Sequence, residues 1–153
     1  MTDTPTRRRV LALSLALPAA ALAGTRALAG PGVYTDWGVA IRGADPVAYF
    51  TEGAPVEGSA RHILEWRGST WHFASPANRD RFAADPLAYA PQFDGWCAWA
   101  VSRGKLASTD PTAWSIHEGQ LYLNYSHAVQ RRWLRDVPGN AARAHDRWPA
   151  LAA

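Results

Sequence analysis

The chain of 153 residues predicts a small single α+β domain, built of short helices and two antiparallel β-hairpins and preceded by a leader. Three observations point there. Alternating apolar and polar residues run into Arg67-Gly68 and Glu118-Gly119 and out again, the X-Gly signal of a tight hairpin. Asp or Ser stands directly before proline at Asp45-Pro46, Ser75-Pro76, Asp85-Pro86 and Asp110-Pro111, a cap followed by the residue best suited to a first helical position. Hairpins and helices are interleaved with no repeat, and the chain beyond the leader is the size of one domain.

The leader comes first in order. Arg7, Arg8 and Arg9 precede an apolar run from Val10 to Ala23 that contains Pro18, short for a bilayer span and typical of a signal peptide. Ala27-Leu28-Ala29 supplies the small-x-small cleavage pattern, so residues 1–29 are expected to leave and the domain to occupy 30–153. Thr-Arg-Arg-x-Val-Leu resembles a twin-arginine export signal, which implies a bacterial periplasmic protein with no stable membrane anchor after processing. The leader holds Arg7, Arg8, Arg9 and Arg26 of the 16 Lys+Arg, and Asp3 of the 13 Asp+Glu, so the remainder carries no net charge. The basic balance of the whole chain therefore argues for no nucleic-acid partner.

Beyond Gly30, Val33 to Ile41 reads as a strand. Asp45 and Pro46 start a short helix through Phe50 that Gly53 and Pro55 end. Residues 61–66 and 69–73 form the first hairpin, with Trp71 and Phe73 on one face and His72 on the other. Ser75 and Asp85 cap two further helices, the first carrying Phe82 inward. Phe93, Trp96, Cys97 and Ala100 fall at helical spacing, which predicts a buried helix with Cys97 in its first turn after Gly95. Asp110-Pro111 predicts another turn of helix through Trp114. The second hairpin follows over 115–124, then a helix capped by Ser126, then an amphipathic helix from Pro138 to Trp148 closed by Pro149.

Cys97 is the only cysteine, so it has no intramolecular disulfide partner. A thiolate is both a nucleophile and a soft-metal ligand, while a buried thiol is an inert small hydrophobe. A place in the first helical turn would lower its pKa, whereas Trp96 and Trp99 would raise it by desolvation; the expectation is that the helix end prevails. Five histidines, His62, His72, His117, His127 and His145, are the possible partners. Thiolate with imidazole suits zinc or copper.

Asp45-Pro46-Val47-Ala48-Tyr49-Phe50, Trp71-His72-Phe73-Ala74-Ser75, Phe82 and Asp85-Pro86 with Tyr89 together resemble a YHS domain. Trp71 stands for the tyrosine of the name, and His72 and Ser75 stand as named. Many members are thought to bind metal through cysteines, but Ala48 and Ala74 occupy those two places here. The resemblance continues through Gly95-Trp96-Cys97-Ala98 in exported bacterial relatives of a selenoprotein-related branch, some carrying selenocysteine at the Cys97 position. It implies a YHS-like domain over 30–153 with a C-terminal helical extension, and His72 as the favoured histidine. The expected function is a metal- or small-ligand-binding module centred on Cys97, with Cys97 and His72 as candidate ligands of a zinc or copper ion. The alternative is a thiol-dependent redox enzyme in which Cys97 is catalytic and an external thiol resolves it.

Overall fold

A computed structural model describes residues 30–153. The expected export signal lies outside these described residues. Strands β1 (Thr35–Asp36) and β2 (Val39–Ala40) form a small hairpin. Helix α1 (Ala48–Thr51) leads to β3 (Ser59–Trp66) and β4 (Ser69–Phe73), then α2 (Pro76–Ala84) and α3 (Pro86–Tyr89). One turn of helix, α4 (Ala98–Val101), precedes the second large hairpin, β5 (Asp110–His117) and β6 (Gln120–Asn124). Helices α5 (His127–Trp133) and α6 (Val137–Leu151) complete the chain. The first sheet has the order β1-β2-β4-β3, with β2 parallel to β4, and β5-β6 is a separate antiparallel pair, so the fold is α+β.

Both expected hairpins form about the expected turns. Arg67 and Glu118 take left-handed backbone (φ 52 and 50), each followed by a left-handed glycine, the type I′ requirement. Trp71, Phe73 and Phe82 are fully buried in one apolar cluster with Val47 and Tyr49. Phe93, Tyr122, Trp133 and Ala144 form a second cluster, against which α6 lays Trp148 and Leu151. Each side chain of this size contributes about 2 kcal/mol by leaving water.

Four local expectations are corrected. Val33 to Ile41 is a hairpin rather than one strand, because Trp37 and Gly38 both adopt left-handed backbone and turn the chain. The buried helix expected through Cys97 is broken: Gln92–Gly95 is a 3-10 turn with Phe93, Asp94 and Gly95 left-handed. Its carbonyls find partners elsewhere, Asp94 O accepting from Tyr34 N at 2.8 Å and Gly95 O from Thr109 Oγ1 at 3.0 Å. Asp110 to Trp114 is strand, not helix, since Asp110 pairs with Asn124 across the sheet and Pro111 O accepts from the Tyr49 hydroxyl at 2.8 Å. Helix α6 runs through Pro149 to Leu151, and Ala152 N still donates to Trp148 O at 2.9 Å.

Asp45 stands two residues before Val47, the N-cap of α1, and holds the helix start from there. Its buried carboxylate accepts from Val47 N (2.8 Å) and Ala48 N (3.3 Å) through Oδ1. Through Oδ2 it accepts from Ala74 N (2.8 Å) and Asn78 Nδ2 (2.7 Å). One side chain thus ties α1 to the junction of β4 and α2.

Candidate functional site

Cys97 sits between the 3-10 turn and α4, in extended rather than helical backbone (φ −56, ψ 112), as the residue that caps α4. Its amide donates to Ala107 O at 3.0 Å and its carbonyl accepts from Val101 N at 2.9 Å. The side chain is 1% exposed. Its sulfur accepts from Tyr125 N at 3.2 Å and Ala100 N at 3.5 Å. Asn124, at the end of β6, places Oδ1 4.0 Å from the same sulfur. That oxygen accepts from Trp99 N at 3.3 Å, which fixes which way the amide faces. Asn124 is fully buried, and its Nδ2 has no hydrogen-bond partner among the described residues.

Burial pushes the Cys97 thiol up, and the N–H groups of Ala100, Tyr125 and Trp99 oppose that shift without overcoming it. This corrects the expectation of an acidic thiol. A helix of one turn sums few peptide dipoles, and Cys97 lies before it, so the macrodipole that was to lower the pKa is small. The sulfur is a neutral thiol at pH 7, held by donors that favour its charged form.

His72 projects from β4 away from Trp71 and Phe73, as alternation requires. Gly43 and Gly58 close on it: a Cβ at Gly43 would lie 3.5 Å from His72 Nδ1, and one at Gly58 2.6 Å from His72 Cβ. The ring lines an open groove of about 380 Å³ with Asp36, Trp37, Arg42 and Glu57. None of the residues that contact the Cys97 sulfur lines that groove, so Cys97 and His72 have separate surroundings. The other histidines are also engaged elsewhere. His127 Nε2 meets Thr112 Oγ1 at 2.9 Å, the His145 ring lies 4.9 Å from the Phe93 ring at a tilt of 58°, and His117 Nε2 is 4.0 Å from Glu118. His62 lies on β3. Among the described residues no group of three or more His, Cys, Asp or Glu side chains is placed to hold a metal ion. The donor set therefore does not fit a protein-caged zinc or copper ion.

Sequence reasoning missed two parts of these sites. Asn124 looked like an ordinary strand end, and only the register of β6 beside α4 brings it to the sulfur. Trp37 falls within the strand expected over Val33 to Ile41, although Trp37-Gly38 has the same X-Gly form as the turns of the two larger hairpins.

Fold and site together define a small α+β domain with a sequestered thiol, its sulfur ringed by hydrogen-bond donors. Within it, residues 47–93 match the family described as the YHS domain. The matched segment contains His72 and ends before Cys97, so the surroundings of the sulfur are built by the chain that follows it. No curated protein and no solved structure matches the chain. No helix among the described residues is long and apolar enough to cross a membrane.

Proposed function

We propose that this chain is an exported periplasmic binding module whose centre is the Cys97 thiol with the Asn124 amide beside it. The observation that carries this reading is the buried Asn124 Nδ2, a donor with no partner among the described residues, next to a sulfur that already accepts two N–H groups. An unpaired buried donor costs about 1–3 kcal/mol, which a ligand bringing an acceptor atom recovers on binding. A small ligand with an oxygen acceptor fits that need. A thiol that burial holds neutral is a slow nucleophile, which favours a binding module over a self-contained redox enzyme. The YHS family is associated with metal binding, and its match supports a module of that general kind. Zinc or copper at Cys97 or His72 would need further donors from a partner or a bound molecule. The twin-arginine pattern supports export.

The test is native mass spectrometry with metal analysis on protein purified from the periplasm. A bound mass that is lost in both Cys97→Ser and Asn124→Ala supports the reading. An empty wild-type protein whose thiol alkylates only on unfolding contradicts it and makes Cys97 a packing residue. Export itself is tested by Arg7→Lys with Arg8→Lys, which should leave uncleaved precursor in the cytoplasm.

A further inference from the structure

Among the described residues three strand-to-strand hairpins turn on a left-handed X-Gly pair, Trp37-Gly38, Arg67-Gly68 and Glu118-Gly119. In two of them the first residue is charged and well solvated. In the third it is Trp37, which is 99% exposed. The turn needs no indole, as its two counterparts show, and neither core cluster uses this one. Left-handed backbone at the first position of such a turn favours small or polar residues, so turn chemistry does not select a tryptophan there. Two more left-handed residues follow at once, Ile41 (φ 43) and Arg42 (φ 58), in the segment that walls the groove.

The groove's charge says what ligand would suit it. Arg42 is engaged with Asp36 at 3.2 Å, whereas the exposed Glu57 carboxylate has no ionic partner among the described residues. One uncompensated negative charge therefore lines the groove together with the Trp37 indole, and His72 lines it between Gly43 and Gly58. A volume of about 380 Å³ suits a small molecule. A cation is attracted both to the face of a tryptophan and to a free carboxylate, and a methylated ammonium group matches an aromatic surface better than a hydrated metal ion does. From this we infer that the groove between Trp37 and Glu57 binds a small organic ammonium ion. This site is separate from the Cys97 pocket and does not rest on it.

The experiment is calorimetric titration of the purified protein with choline and with its uncharged carbon isostere, in which a tert-butyl group replaces trimethylammonium. Choline is expected to bind saturably, and the isostere at least about fivefold more weakly. Trp37→Ala and Glu57→Gln should each weaken choline about fivefold with an unchanged far-ultraviolet dichroism spectrum, since both side chains are exposed. Cys97→Ser should bind choline like the wild type. Absence of saturable binding, equal binding of the isostere, or either groove variant binding as tightly as wild type overturns the assignment. So does a Trp37→Ala variant whose only change is loss of self-association, which would make the indole a contact between copies.

Discussion

At Cys97 two effects of opposite sign act on one sulfur. Backbone N–H groups at 3.2 and 3.5 Å favour the thiolate, while removal from water disfavours it, and removal from water is the larger. The neighbouring Asn124 holds α4 to β6 by accepting from Trp99 N. Its removal should therefore cost the fold and not only the site. Asn124→Ala loses that bond and leaves a small buried void, and urea unfolding should show a loss of about 2 kcal/mol. A loss under about 0.5 kcal/mol would mean the amide carries no structural load and its orphaned Nδ2 offsets the bond it makes.

The elements are held by a few side chains that satisfy backbone groups at a distance. Asp45→Ala removes an acceptor shared by four donors at the start of α1, at the junction of β4 and α2, and on α2, and should lower stability by about 3 kcal/mol in the same assay. Asp45→Asn, which retains one acceptor oxygen, should fall between. Gly95 sets the turn before Cys97, with φ +83 and room for no Cβ: an added one would lie 2.8 Å from Ile41 Cγ2. Gly95→Ala should cost about 2 kcal/mol and loosen the thiol pocket, read as faster alkylation of Cys97 in the native protein. These elements also show what was legible beforehand. Hairpins about Arg67-Gly68 and Glu118-Gly119 and the caps at Ser75, Asp85 and Ser126 were readable, because turn and cap chemistry is local. The break before Cys97 was not, because Phe93 and Trp96 have helical spacing while their path is set by Tyr34 and Thr109 from distant strands or loops. Cys97 itself stood out as the single thiol, whereas Asn124 became visible only once β6 was folded beside α4.

Over the whole molecule, burial leaves several acidic groups reluctant to ionise. Desolvation raises Cys97 and Tyr122, and raises Tyr49 well beyond the usual tyrosine range, with Asp110 and Asp45 adding to the effect at Tyr49. Each of these groups is neutral in both states at neutral pH, so its full stabilising contribution is present there. Above its ordinary pKa, about 8.5 for the thiol and 10 for the tyrosines, the unfolded chain loses protons that the folded chain keeps. Stability should thus fall as pH rises past about 8.5 and fall more steeply past 10. Urea midpoints of wild type and Cys97→Ala across this range should differ in the first step and share the second.

The account turns on Cys97 being a ligand-holding thiol rather than a free nucleophile, and its ionisation in the folded protein separates the two. Ultraviolet thiolate absorbance should be followed as a function of pH on the native protein, with alkylation rates taken at the same points. For a ligand-holding thiol, thiolate should appear only above the free-cysteine value of about 8.5, and alkylation at pH 7 should be slower than for an unfolded thiol. Thiolate already present at neutral pH, with alkylation faster than in the unfolded chain, would contradict it and give the site to the redox enzyme instead.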